Sequence, residues 1–191
     1  MARLALSLLG AIEASLDGKP VSGMQTDKVR GLLIYLAVER GRAHRRQALA
    51  GLFWPDFPEE GARANLRQAL ANLRQVLGEE QNEPPFLLVE RETLRLNPGC
   101  DCLLDVTEFE NLTAPNASAR DLDSALLLYR GDFLEGFTLR DSADFDDWGA
   151  LPSIHQVWTS TEDLVAYVKA NLVWRELTDA EREQFGLPEK K

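Results

Sequence analysis

The spacing of apolar residues changes period repeatedly along this chain of 191 residues. Near the start, Leu4-Ala-Leu-Ser-Leu-Leu9 and Ile12-Glu-Ala-Ser-Leu16 are short apolar runs with partial alternation, parted by Gly10. Alternation at period two marks a strand with one buried face, and Asp17-Gly18 then turns the chain into Pro20-Val21. These segments predict a small antiparallel sheet. From Asp27 to Glu39 the period becomes helical, with Val29, Leu32, Leu33, Leu36 and Ala37 on one side and Gly41 stopping the run. A shorter helix is predicted over Arg45 to Phe53, with Leu49, Leu52 and Phe53 inward. Trp54-Pro55 ends it, because the residue before a proline is pushed out of helical angles.

The third helix has the strongest signature. Asp56 with Glu59 has the spacing of a capping box, Pro58 sits in the first turn, and Gly78 stands where a C-terminal cap would. Between them Ala62, Leu66, Ala69, Leu70, Leu73, Val76 and Leu77 form an apolar stripe. Beyond it, Phe86 to Val89 and Thr93 to Leu96 read as a β-hairpin with the charged tip Glu90-Arg91-Glu92, closed by Asn97-Pro98-Gly99. Past residue 100 the chain turns acidic. Helices are predicted over Asp105 to Leu112, Arg120 to Tyr129, Glu162 to about Glu176 and Thr178 to Phe185, with a polar linker at Ala114–Ala119.

The face of the third helix opposite its apolar stripe carries the candidate chemistry. It presents Ala64, Arg67, Gln68, Ala71, Arg74 and Gln75, flanked by Arg63, Asn65 and Asn72, and no acid falls between Gly61 and Gly78. Arg pairs bidentately with guanine, and Asn or Gln with adenine, because their forked donors and acceptors match those base edges. Small residues such as Ala71 let the backbone approach and can meet a thymine methyl. The expected base-reading set is therefore Arg63, Arg67, Gln68, Ala71, Arg74 and Gln75. An ordinary solvated helix face mixes Glu with Lys, and this one does not.

Charge distribution agrees with that reading, although the whole chain carries a net charge of −10. Residues 1–78 contain 11 Lys and Arg against 7 Asp and Glu, a net +4, while residues 79–191 contain 10 against 24, a net −14. A basic half joined to an acidic half fits a DNA-binding module carrying a protein-facing one. Phosphate contacts are expected from Arg42, His44, Arg45 and Arg46 around the start of the second helix, where exposed backbone N–H groups also favour anions. Arg91 at the hairpin tip is the candidate for a minor-groove or backbone contact.

Several blocks then carry a resemblance. Lys28 to Ala37, Arg45-Arg-Gln-Ala-Leu-Ala-Gly-Leu-Phe-Trp-Pro-Asp56, Ala62-Arg-Ala-Asn-Leu-Arg-Gln-Ala-Leu70 and Val89-Glu-Arg-Glu-Thr-Leu-Arg-Leu-Asn-Pro98 resemble the bacterial antibiotic-regulatory transcriptional activators. In that family an OmpR-type winged helix precedes a bacterial transcriptional activator domain of tetratricopeptide-like helices. Asp105-Val-Thr-Glu-Phe-Glu110 and Leu128-Tyr-Arg-Gly-Asp-Phe-Leu-Glu-Gly-Phe137 resemble the opening of the second domain. The resemblance runs over about residues 3–148. It implies an α+β winged helix-turn-helix at 1–99, made of an N-terminal β-sheet, three helices and a C-terminal β-hairpin wing. A smaller, mostly α-helical, truncated TPR-like domain would follow at 100–191. It further implies that the helix bearing Arg63, Arg67, Gln68 and Arg74 is the recognition helix and the hairpin around Arg91 the wing. The resemblance implies double-stranded DNA as partner, with dimeric or tandem binding, and the acidic second half is the expected surface for RNA polymerase. The tail departs from the pattern: Thr161 to Asn171 and Arg175 to Gly186 resemble the end of some bacterial WD40-repeat proteins.

Other classes lack support in the sequence. There is no phosphate-binding glycine loop, zinc-protease His pair or Gly-x-Ser-x-Gly elbow, so no enzyme and no cofactor is expected. Asp144, Asp146 and Asp147 lack the ligand spacing and distant Glu of a calcium loop. Cys100 and Cys102 have only His44 and His155 as remote helpers, too few for zinc. No apolar run approaches the ~18–20 residues that span a bilayer, and no membrane partner is expected. A cytoplasmic transcription regulator is the expectation. The alternative is a protein-interaction module that keeps the fold without specific DNA binding.

Overall fold

A computed structural model describes residues 2–114 and 117–150. In chain order the elements are β1 (Arg3–Ser7), β2 (Glu13–Leu16), β3 (Lys19–Pro20), α1 (Asp27–Val38), β4 (His44–Arg45), α2 (Arg46–Phe53), α3 (Glu59–Val76), β5 (Leu87–Val89), β6 (Thr93–Leu96), β7 (Asp101–Leu104), α4 (Asp105–Leu112), α5 (Ala119–Leu128) and α6 (Ala143–Gly149). This is an α+β fold with strands, three helices and a hairpin in the predicted order. The helices expected over Glu162–Glu176 and Thr178–Phe185, and the tail that resembles WD40-repeat proteins, lie outside the described residues.

The first sheet has the order β3-β2-β1-β7. Alternation in β1 sends Leu4 and Leu6 into the core, at 0% and 2% exposure. Between β2 and β3 stand Asp17 and Gly18, both at positive φ (51° and 74°), the geometry that a two-residue hairpin turn requires. The fourth strand, β7, has no signal in the sequence pattern. It pairs parallel to β1, Arg3 opposite Asp101 and Leu6 opposite Leu104, so backbone pairing crosses the boundary drawn at residues 99/100.

Thr26 caps α1, its side chain accepting the Val29 amide. The predicted stripe of α1 is buried, but so are Gly31 and Tyr35 on other sides, because the segment after α5 packs there. Tyr35 lies 4.8 Å from the Trp148 ring, and Phe53 lies 5.4 Å from Phe145, measured between centroids. The Trp148 indole donates to Glu39 Oε1 at 3.0 Å, and Ser142 Oγ donates to the Leu52 carbonyl at 2.6 Å. The acidic stretch around Asp144 is thus the outer side of an aromatic wedge against α1 and α2.

Helix α3 buries Ala62, Leu66, Ala69, Leu70 and Leu73, each Leu contributing roughly 1.5–3 kcal/mol through loss of apolar surface from water. Its C-terminus is closed by Gly78 at φ 62°, with Gly78 N donating to Gln75 O and Glu79 N to Arg74 O. That double bond pattern satisfies carbonyls that the helix leaves open. The N-terminus corrects the expectation. No Asp56–Glu59 capping box forms; Pro58 occupies the cap position without a side-chain bond. Glu59 instead pairs with Arg63 one turn along, at 2.7 Å, and accepts from Gln47 Nε2 at 3.1 Å.

The hairpin β5–β6 gains a third strand, since β4 pairs with β6 to give the order β4-β6-β5. β4 falls where the sequence predicts the start of a helix, and it is too short to show alternation. Past β7, α4 packs against α5, and Ser118 and Asp121 form a reciprocal capping box at the start of α5.

Candidate nucleic-acid interface

The outward face of α3 is open to solvent. Arg63, Ala64, Arg67, Gln68, Ala71, Arg74 and Gln75 are all exposed, and their spacing at three or four residues places them on one side. The acidic segments of residues 100–114 and 117–150 leave this face uncovered. Acid is confined to the first turn, where Glu59 and Glu60 complement the positive end of the helix dipole. Arg63 is drawn toward that end by Glu59, an exposed pair worth ~0–1 kcal/mol that a phosphate or base could replace. Arg67 makes no ion pair among the described residues.

Asn72, expected at the flank of this face, is instead buried, at 7% exposure. Its Nδ2 donates to Gly23 O and its Oδ1 accepts from Gln25 N, both at 3.1 Å. The side chain thereby ties α3 to the loop preceding α1. A signal for this exists, since residue 72 falls between Ala69 and Leu73 on the inward stripe. Lys28 does a related job between the start of α1 and the end of α2. Its Nζ donates to Phe53 O at 2.6 Å and lies 5.9 Å above the Trp54 ring. Burial lowers its pKa, opposed by the charges of Asp141 and Asp56.

The expected phosphate set separates into groups. Pairing of β4 with β6 sets Arg45 opposite Thr93 and carries the start of α2 to the hairpin. Arg46 N donates to Glu92 O at 2.9 Å, and its guanidinium reaches Glu90 O at 3.4 Å. Arg45, Arg46 and Arg91 are therefore brought to one corner, with Arg91 almost fully exposed at 96%. Arg42 stands apart, paired with Glu39 at 2.9 Å. His44 does not belong to the surface. It is 7% exposed, its ring 5.1 Å from Tyr35 and its Nε2 3.2 Å from Glu39 O, so internal packing uses it. Arg95, on β6 with its neighbours Leu94 and Leu96 buried, adds a partly exposed positive charge to the hairpin.

Other chemistry is muted. Burial pushes the Cys102 thiol up to about 12 and the Cys100 thiol upward, which leaves both as poor nucleophiles. Among the described residues, no group of three His, Cys, Asp or Glu could hold a metal ion, and no helix is long and apolar enough to cross a membrane.

No family model matches the chain. It is similar to the transcriptional regulatory protein EmbR of Mycobacterium bovis and of Mycobacterium tuberculosis, 34% identical over 150 residues. That match covers 73% of this chain and 38% of each relative, so the chain spans about two fifths of their length. A solved structure of Mycobacterium tuberculosis EmbR in complex with a low-affinity phosphopeptide superposes with a TM-score of 0.62 at 29% identity. It covers 78% of this chain and 41% of that one.

Proposed function

Starting from homology to the EmbR transcriptional regulators, we propose that this chain is a sequence-specific DNA-binding transcription regulator, an activator by its family resemblance. In this reading α3 lies in the major groove. Arg63, Arg67, Gln68, Ala71, Arg74 and Gln75 face base edges, while Arg45, Arg46 and the wing residue Arg91 contact the backbone or minor groove, with Arg42 outside that cluster. Residues 100–150 belong to the start of the activator domain, facing RNA polymerase or a second copy of the chain, in the cytoplasm.

One observation carries the proposal: the outward face of α3 is exposed, basic and free of acid from Gly61 to Gly78. Duplex DNA carries one charge per ~1.7 Å of axis, so a single carboxylate there would be costly. Selection from a random duplex pool with the purified chain, followed by a salt titration of the recovered site, tests it. Affinity should fall with salt at a log–log slope of roughly −0.9 per phosphate contact. A flat slope with no enriched sequence would refute it. The second reading, a protein-interaction module, draws on the phosphopeptide in the neighbour's structure; peptide capture without duplex binding would favour it.

A further inference from the structure

Glu79 is the first residue past the glycine that closes α3, and it is only 8% exposed although it carries a carboxyl group. An acid at that depth needs donors aimed at it. It finds them on the hairpin, where its Oε1 accepts the Leu87 amide at 2.9 Å. Strand pairing explains why that amide is available. Phe86 and Glu90 turn their peptide groups toward β6, with Asn97 N donating to Phe86 O at 2.7 Å and Glu90 N to Thr93 O at 2.9 Å. Alternation then aims the Leu87 N–H away from β6, outward from the edge of the three-stranded sheet. Glu79 fills that edge position in place of another strand. Burial raises its pKa, opposed by the Leu87 and Phe86 amides and by the Arg74 charge. On the far edge, β4 and Arg46 hold β6 and the tip. The hairpin is thus gripped from α2 on one side and from the end of α3 on the other.

We propose that Glu79 is a positioning residue for DNA binding, fixing the first wing strand on the end of α3 so that Arg91 meets the duplex in register with Arg67 and Arg74. This rests on the DNA-binding reading above. Arg91, nearly all of it in solvent, has among the described residues only a loose pairing with Glu92 at 3.8 Å, so the placement of the hairpin decides where it sits.

The test uses the full chain and the duplex recovered from a random pool by the unaltered protein. Glu79→Ala should lower the salt slope by about 0.9, one phosphate contact, as should Arg91→Ala. The double variant should lose no more than either alone, while the preferred sequence read by α3 stays the same. Glu79→Gln keeps a carbonyl oxygen for Leu87 and should restore the slope. In the free protein, amide exchange at Leu87 should quicken in Glu79→Ala and not in Glu79→Gln. A Glu79→Ala protein with the parental slope, or losses that add with Arg91→Ala, would overturn the proposal while leaving DNA binding intact. Should Glu79→Ala fail to fold, a lost slope in folded Glu79→Gln would overturn it. Failure of the unaltered chain to enrich any duplex would overturn both readings and is recognised by that control.

Discussion

Gly31 is a point where the segment after α5 presses on α1 and α2, and replacing it by Ala measures that pressure. A Cβ at residue 31 would lie 3.0 Å from Leu139 Cδ1, 3.3 Å from Phe53 Cε1 and 3.5 Å from Phe145 Cζ. On an open helix face Gly→Ala stabilises by about 1 kcal/mol, because glycine loses more backbone freedom on folding. Here the methyl enters a filled space, and overpacking costs about 1–3 kcal/mol. The two effects leave Gly31→Ala between neutral and about 2 kcal/mol less stable. Leu139 is itself 3% exposed, so Leu139→Ala alone should cost about 2–5 kcal/mol. In that background the space at residue 31 is relieved, and Gly31→Ala should regain the helix gain of about 1 kcal/mol. Urea unfolding of parent, both single variants and the double variant closes the cycle, with an expected coupling of about 1–3 kcal/mol. If Gly31→Ala is stabilising by about 1 kcal/mol in both backgrounds, residues 139–145 do not pack on α1 and the aromatic wedge is wrong.

Arg67→Ala and Arg74→Ala should each weaken binding to the selected duplex by about 1–3 kcal/mol and relax its sequence preference, read by repeating the selection with each variant; unchanged binding in both would remove α3 from the interface. Asn72→Ala strips partners from Gly23 O and Gln25 N, and should cost about 1–3 kcal/mol in urea unfolding. Asp105 accepts the Leu8, Leu9 and Val106 amides, yet its burial dominates and raises its pKa above the ordinary 3.8. A carboxyl raised on folding favours the protonated native state, so this group's contribution is full below 3.8 and declines as pH climbs through its folded value. Unfolding midpoints followed from there to neutrality should fall less in Asp105→Asn than in the parent; parallel curves would contradict the assignment.

The β5–β6 hairpin shows how far residue patterns reach. Its two strands and charged tip are readable because alternation and turn residues act over a few positions. That Arg45 and Arg46 stand beside Arg91 is not, because a two-residue strand, His44–Arg45, has no period to detect. The burial of His44 escapes the pattern for a related reason. Its neighbours in sequence are arginines, but its neighbours in space are Tyr35 and the Glu39 carbonyl. Asn72 is polar on an apolar stripe, and only the loop at 23–25 explains it. The capping box at Asp56 and Glu59 has the correct spacing, but Glu59 is used by Arg63 and Gln47 instead.

Local periodicity alone settled where most strands and helices begin and end, which face of α3 is apolar, and that its other face carries Arg and Gln without acid. Those properties come from interactions within a few residues, so the linear order suffices to express them. Folding decided the rest. It set β7 beside β1, joined by the Arg3–Asp101 ion pair across 98 positions, drove Trp148 and Phe145 onto α1 and α2, and buried Glu79 against the β5–β6 hairpin. Each of these depends on which surfaces meet once apolar area leaves water, and distant partners leave no periodic trace in either segment.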